Sequence, residues 1–274
     1  MSAHRAVAGA RGLVAGAVLA AALAAGAARA EAPPTTIDHA TLGDTESRTP
    51  EISTADLTDV IARGSAAVID TRSFAEYAIS HIPGAISVAE RPGLAKARSA
   101  SDVGEIDRVL GGRRDTAIVL YGNGPFDGST RRIADHLAVA GYTNVRRYQL
   151  GIPVWRALGG VTQIEDLGLR RVMSLDQSAV FVDARDSLRF VAKTLPHARN
   201  IPRARVTGAR DGGEVRRAED DGRLPADDHN ARIIVFGESG ADAYYVAQQL
   251  TREAFHNVSF YRGTILQALI AIGR

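Results

Sequence analysis

Residues 66–88 read Ala66-Ala67-Val68-Ile69-Asp70-Thr71-Arg72-Ser73-Phe74-Ala75-Glu76-Tyr77-Ala78-Ile79-Ser80-His81-Ile82-Pro83-Gly84-Ala85-Ile86-Ser87-Val88. Their changes of period decide the fold. Residues 66–69 are an apolar run of strand length that ends on Asp70. Residues 74–79 read as a short helical stretch, Pro83-Gly84 breaks the chain, and residues 86–88 read as a second strand. A buried strand, a helix and another strand in so few residues is the rhythm of a parallel sheet with helices on its faces.

The same rhythm continues in both directions. Downstream, Ala117-Ile118-Val119-Leu120-Tyr121 is a strongly apolar strand that runs into Gly122-Asn123-Gly124-Pro125. Residues 131–140 then place Ile133, Ala134, Leu137 and Ala138 on one helical face and stop at Gly141, where a C-cap belongs. Residues 145–150 give the next strand. Upstream, Ile52-Ser53-Thr54-Ala55-Asp56-Leu57 offers a short strand and then a Ser or Thr cap, opening a helix through Leu57, Val60 and Ile61. The expected class is α/β, with a largely parallel central sheet flanked by helices.

The second half of the chain repeats this order. Val180-Phe181-Val182-Asp183-Ala184-Arg185 matches Val68-Ile69-Asp70-Thr71-Arg72, Ile233-Ile234-Val235-Phe236-Gly237 matches Ile118-Val119-Leu120-Tyr121-Gly122, and Asn257-Val258 matches Asn144-Val145. Asp70 to Asp183 is 113 positions, Gly122 to Gly237 is 115 and Asn144 to Asn257 is again 113. Three landmarks in one order at a nearly constant offset indicate a duplicated domain. The first copy is expected over residues 51–160 and the second over 170–274, with the boundary between Gly159 and Met173. The segment after Gly122 is two residues longer than the one after Gly237. Residues 207–230, charged and glycine-containing, read as a long surface loop.

The start of the chain is of another kind. Arg5 and Arg11 precede an apolar, alanine-rich run over residues 13–28, and Ala28-Arg29-Ala30 follows. That is the pattern of a secretory signal peptide over residues 1–30, cleaved near Ala30. The run falls short of the ~20 apolar residues that a spanning helix requires, so no stable membrane anchor is expected. A periplasmic or secreted protein is the expectation. Residues 31–50 are polar, proline-containing and aperiodic, and read as a linker. The chain carries 33 Lys and Arg against 31 Asp and Glu. Removing the signal takes away Arg5, Arg11 and Arg29 and no acid, which leaves 30 bases against 31 acids. Nothing in that balance, nor any basic run interleaved with aromatics, points to nucleic acid.

The chain has no cysteine. Disulfides, thiolate metal sites, iron–sulfur clusters and cysteine nucleophiles are excluded together. The histidines are dispersed without ligand spacing, Gly122-x-Gly124 lacks the third glycine of a dinucleotide fingerprint, and neither a metal nor a cofactor is expected.

Asp70-x-Arg72, Glu76-Tyr77 and His81-Ile82-Pro83-Gly84-Ala85, followed by Gly141-Tyr142-Thr143-Asn144-Val145 and the Gly151 to Trp155 segment, resemble the rhodanese family. The likeness is strong over 51–160. It is weaker over 170–274, where Asp183-x-Arg185, Pro196, Asn200-Ile201-Pro202 and Phe255-His256-Asn257-Val258 carry it. Asp70, Arg72, His81, Pro83, Asp183 and Arg185 read as structural: ion pairs at strand ends, a hydrogen-bonded histidine and a turn proline.

The resemblance places the family's chemistry at the strand–loop–helix junction. There converging backbone N–H groups at a helix N-terminus stabilise a cysteine thiolate that carries sulfane sulfur. By the motif match the nucleophile positions are Gly122 and Gly237, so no catalytic residue is assigned. The first loop is similar to a Tyr-Cys-x-Gly-Pro-x-Cys pattern of exported rhodanese-like proteins, with Gly122 and Asp127 at its cysteine positions. Ser129, Thr130 and Ser239 lack an adjacent general base, and capping is the expected duty of Asp127, Ser129 and Thr130.

Two binding roles remain open. The cradles formed by Gly122, Asn123, Gly124, Asp127, Ser129 and Thr130 and by Gly237, Glu238, Ser239 and Gly240 are candidates for a small oxyanion such as sulfate, thiosulfate or phosphate. Alternatively, the protein is a pseudoenzyme that docks an exported redox or sulfur-handling partner. Sulfur transfer by a non-cysteine route, assigned by family alone, is the remaining alternative.

Overall fold

The computed structural model describes residues 36–44, 46–89, 102–206 and 213–274; the signal-peptide assignment and residues 31–35 lie outside them. The first half contains α1 (Thr54–Arg63), β1 (Ala67–Asp70), α2 (Phe74–Ile79), β2 (Ile86–Ser87), α3 (Asp102–Leu110), β3 (Ile118–Tyr121), α4 (Gly128–Val139), β4 (Val145–Tyr148) and α5 (Gly151–Ala157). The second contains β5 (Thr162–Ile164), α6 (Asp166–Leu175), β6 (Val180–Asp183), α7 (Ser187–Ala192), β7 (Arg199–Asn200), α8 (Gly213–Asp220), β8 (Ile233–Gly237), α9 (Gly240–Arg252), β9 (Val258–Thr264) and α10 (Ile265–Ala271).

Two parallel sheets result, ordered β2-β1-β3-β4 and β5-β9-β8-β6-β7. Matching registers display the duplication: Asp70 lies opposite Tyr121, and Asp183 opposite Phe236. Successive strand residues face opposite sides. Val68, Val119 and Tyr121 enter one core of the first sheet, and Ile69, Ile118 and Leu120 enter the other. In the second sheet Val182, Ile233 and Val235 separate in the same way from Phe181, Ile234 and Phe236. Burial of both faces is why these strands read as unbroken apolar runs rather than alternating ones.

Helix starts follow local chemistry. Ser53, Ser73 and Thr264 each form a reciprocal capping box, with Asp56, Glu76 and Gln267 respectively. α4 ends at Val139 with Ala140 as its C-cap, and Gly141 takes φ +91° as the chain turns away.

Three sequence expectations change. Residues 36–50 are not a free linker. Arg147, fully buried on β4, donates to Thr49 O (3.1 Å) and Oγ1 (3.0 Å) and lies 3.4 Å from Asp44. The Arg48 N–H meets Asp135, and Leu42 and Gly43 donate to Glu51. A buried guanidinium needs acceptors, and this polar strap supplies them.

The charged stretch 207–230 is not wholly a loop either. α8 occupies Gly213–Asp220 and buries Val215 and Ala218, three positions apart on one face, while its buried Glu214 receives Arg223 at 2.8 Å. So few inward residues gave the sequence too faint a period. Finally, residues 161–169 do not simply connect the halves. β5 is the edge strand beside β9, pairing Gln163 with Phe260. In the first sheet the corresponding place beside β4 is held by a single bridge, Glu51 to Arg147, which is all that forms of the short strand expected near Ile52.

The halves meet through α2 and α6. A Cβ on Gly168 of α6 would fall 2.0 Å from Ala78 O on α2, so only glycine permits the approach. His81 and Gln163 bridge the same seam.

Candidate functional site

Gly122 follows the end of β3 and Gly237 ends β8, and a matching arrangement of partners braces each strand end. In the first half Arg72 clamps Asp70 through Nε (3.0 Å) and Nη2 (2.6 Å) and also donates to Ser80 O. Tyr121 OH donates to Asp70 Oδ2 (2.7 Å) and accepts from Ile82 N. Burial, with Asp70 beside it, pushes the Tyr121 phenol well above its usual range, so it remains a donor. In the second half Arg185 clamps Asp183 in the same way and reaches Lys193 O. Phe236 has no hydroxyl to offer there, and Thr194 Oγ1 supplies the missing bond to Asp183 Oδ2 at 2.7 Å.

His81 is buried, stacked on Tyr77 with ring centroids 3.9 Å apart. Its Nδ1 lies 2.9 Å from Tyr77 O and its Nε2 3.5 Å from Glu165. Burial lowers its pKa. Pro83 opens a tight turn closed by Ala85 N onto Ile82 O, with Gly84 at φ +79°. The contacts of these signature residues tie together the segments around the loop.

The first loop spans residues 123–127 between Gly122 and α4. Asp127 caps the helix and reaches back across it: Oδ1 accepts from Ser129 N (2.9 Å) and Oδ2 from Asn123 N (3.1 Å). The carboxylate therefore sits on amides of the anion cradle itself. Burial raises its pKa, but hydrogen bonds from Ser129 and Asn123 outweigh that and hold the carboxyl below its usual range. Asn123 Nδ2 ties the loop to Glu76 on α2 at 2.8 Å. Thr130 is buried and shares a hydroxyl–hydroxyl bond of 3.0 Å with Thr71, which also donates to Tyr121 O. Gln149 holds Asp127 O at 3.1 Å.

These side chains converge on Gly122. A Cβ there would stand 2.5 Å from Thr130 Oγ1, 2.8 Å from Asp127 Oδ2 and 3.1 Å from Thr71 Oγ1. The space in which a nucleophile's side chain would begin is occupied. Gly151, at φ +64°, closes the back of the loop, where a Cβ would come within 2.5 Å of Gly122 O and Gly124 N. Phe126 stands out from the loop fully exposed.

The second loop is shorter. Only Glu238 and Ser239 separate β8 from α9; relative to it the first loop is three residues longer and its helix one residue shorter, which accounts for the offset of two. Ser239 caps α9 by accepting from Asp242 N and donates to Asp242 Oδ2 (2.7 Å). Glu238 pairs with Arg189 on α7 at 2.8 Å. Each loop is thus tied to the helix after the strand-end ion pair, by Asn123–Glu76 in one half and Glu238–Arg189 in the other. A Cβ on Gly237 meets nothing closer than 3.2 Å, and Gly240 lies against Arg262 O.

The structure gathers Gly122, Asn123, Gly124, Asp127, Ser129 and Thr130 at the junction of β3 with α4, and Gly237, Glu238, Ser239 and Gly240 at that of β8 with α9. Sequence reasoning missed Thr71 and Gln149. Thr71 is the unspecified position of Asp70-x-Arg72, and no local pattern marks either.

The family model for the rhodanese-like domain matches this sequence twice, over residues 53–158 and 170–267. No curated protein sequence matches it. Among solved structures, wild-type EanB is 17% identical with a TM-score of 0.37, covering 81% of this chain and 60% of that one. A thiosulfate sulfurtransferase from Pseudomonas aeruginosa is 21% identical with a TM-score of 0.32 (79% and 41% covered). The BH2092 protein from Bacillus halodurans is 25% identical with a TM-score of 0.35 (42% and 77%). The chain spans about 60% of the length of EanB.

Proposed function

We propose that this chain, which belongs to the rhodanese-like domain family in both of its halves, is a pseudoenzyme that binds a partner rather than transferring sulfur. Without a cysteine there is no thiolate to carry a persulfide, so the cysteine-dependent reaction is closed to it. The observation that carries the proposal is the position of Asp127. Its carboxylate takes the Asn123 and Ser129 amides that would hold a bound anion. An oxyanion entering this loop has to displace a carboxylate already paid for by the fold and then sit beside its charge. The second loop has two residues and carries Glu238, with Asp242 at the start of α9. Neither loop favours the oxyanion reading.

The Asp127 carboxylate and the Asn123–Glu76 and Gln149 bonds tie this loop to its surroundings and leave Phe126 on its outer side. Phe126 at its tip offers apolar contact, and large exposed aromatics are what interfaces use as anchors. The partner is an exported redox or sulfur-handling protein, and the compartment is periplasmic or secreted, following the signal-like first thirty residues.

Two measurements test this. A thiosulfate:cyanide assay is expected to give no rate above a heat-denatured control; cyanide-dependent turnover refutes the pseudoenzyme reading. A photo-crosslinker in place of Phe126, expressed in exporting cells, is expected to trap one protein, whose binding Phe126→Ser weakens at least tenfold. Identical binding by Phe126→Ser refutes the loop as the contact.

A further inference from the structure

α9 packs on the second sheet by one face and leaves another turned to the first half. Ala243, Val246, Ala247 and Leu250 enter the second core. Tyr244, Gln248, Thr251 and Arg252, at the spacings that share one helical stripe, look the other way. A cleft of about 370 Å3 separates them from Thr58 on α1 and from Trp155, Leu158 and Val161, on α5 and the chain just beyond it. Opposite Thr251 the gap exists because residue 159 is glycine: a Cβ there would already touch the Thr251 Cβ at 4.0 Å. Clefts between folded units, with apolar walls and a few polar groups, are preferred places for small molecules.

The polar groups of the cleft divide into spent and unspent ones. Thr58 and Thr251 give their hydroxyl protons to Thr54 O (2.9 Å) and Gln248 O (3.0 Å). The Trp155 indole N–H goes to Val161 O at 3.0 Å, so that ring shows the cleft only hydrocarbon. By contrast, among the described residues neither the Tyr244 hydroxyl nor the Gln248 amide has a hydrogen-bond partner, and both keep accessible surface. The Tyr244 ring is meanwhile fixed edge-on to Phe260, with centroids 5.1 Å apart. Arg252 is the one charged residue among those lining the cleft. It gives a single bond to Gln249 Oε1 (3.2 Å) and meets no carboxylate among the described residues, which leaves most of its five donors unused. The cleft therefore offers a cation, an amide and a phenol beside an apolar wall, and no negative charge.

We propose that this cleft binds a small aryl carboxylic acid in its ionised form, the carboxylate on Arg252 and the Gln248 amide and the ring against Trp155, Leu158 and Val161. A planar carboxylate suits a guanidinium because it takes two parallel N–H groups at once. Tyr244 to Arg252 is about 12 Å of helix at 1.5 Å per residue, which accommodates a ring, a short methylene spacer and the carboxylate. An amine of the same outline would set one cation beside another, and acetate has no body to fill the apolar wall. The site is separate from the loop around Asp127 and stands or falls independently of the docking role.

Trp155 is the only tryptophan of the chain, so tryptophan fluorescence reports on this cleft. The test is titration of the purified chain with phenylpropionate, acetate and phenylpropylamine at matched ionic strength, followed by fluorescence with calorimetry beside it. Phenylpropionate is expected to give a saturable response, phenylpropylamine one at least tenfold weaker, and acetate none over the same concentrations. Arg252→Gln is expected to weaken phenylpropionate at least tenfold while leaving the ligand-free unfolding midpoint close to the parent's, because it gives up one surface hydrogen bond. Gln248→Phe, which removes the amide and fills the middle of the cleft, is expected to abolish binding and serves if Arg252→Gln does not fold. No saturable response by either readout, an amine or acetate as good as the carboxylate, or unchanged affinity in a folded variant overturns the proposal. Phe126→Ser is expected to bind phenylpropionate like the parent.

Discussion

Restoring the family's nucleophile as Gly122→Cys is expected to damage the fold without reviving the chemistry. The new Cβ would stand 2.5 Å from Thr130 Oγ1 and 2.8 Å from Asp127 Oδ2, and both neighbours are anchored, one to Thr71 and the other to two amides. Overpacking of this kind costs roughly 1–3 kcal/mol. For a chain of this size that lowers Tm by roughly 2–12 °C, at about 2–4 °C per kcal/mol. Thr130→Ala removes the closest contact and is expected to recover part of the loss. The thiol also faces a carboxylate where the family offers it free amides. Taking about 1 kcal/mol between unit charges some 4 Å apart in a water-like medium, suited to a half-exposed Asp127, its pKa rises by nearly one unit from an ordinary value of ~8.5. Adding Asp127→Asn is expected to bring it down again. Unfolding curves measure the first effect, and the pH dependence of iodoacetamide alkylation measures the second. A Gly122→Cys protein as stable as the parent, with a thiol pKa below about 7, would refute the claim that Asp127 fills the cradle.

Other consequences are open to simple measurements. Arg147→Ala leaves Asp44, Glu51 and the strap acceptors without their cation and is expected to cost about 3–5 kcal/mol in urea unfolding, since breaking a buried pair strands its partner; limited proteolysis is then expected to cut within residues 36–50. Gly168→Ala drives a methyl into Ala78 O and is expected to separate α2 from α6, replacing one unfolding transition by two. Because the Asp127 pKa is lowered in the folded state, its contribution is complete above the unfolded value near ~3.9 and disappears as pH falls through the folded one. The stability difference between the parent and Asp127→Asn is therefore expected to be constant at neutral pH and to shrink on acidification below about pH 4; a difference that grows in acid contradicts the hydrogen-bonding scheme.

Much of the fold is legible in the sequence because the strands are buried on both faces and end on marked residues. Residues 66–70 and 117–121 and their repeats announce themselves as apolar runs, and the 113-residue offset finds the second sheet without any structural knowledge. What escaps has little apolar signal. α3 buries Ile106 and Leu110, and α8 buries Val215 and Ala218, within otherwise charged stretches. β5 is three residues long. The strap at 36–50 is fixed by polar bonds to Arg147, which no periodicity reports. At the site, the sequence marks Gly122 as a vacant position and Asp127 as a cap. It does not disclose that the two facts are one, since the path of Asp127 Oδ2 back to Asn123 N is a matter of loop conformation. Pairing of Asp183 with Thr194 in place of a tyrosine is similarly invisible, because the donor comes from another segment.

β5 carries a practical consequence. It is contributed by the stretch immediately after the first half, yet it forms the border of the second sheet, covering the flank of β9 from Thr162 to Ile164. A fragment cut at residue 170, where the two family matches suggest dividing the chain, would lose that border. The Ser259–Tyr261 flank of β9 would then present unpaired amides and carbonyls, a template on which a second copy can add its own strand. Anyone isolating the second repeat should begin before Val161, or expect a sticky, self-associating protein whose behaviour says nothing about the native one.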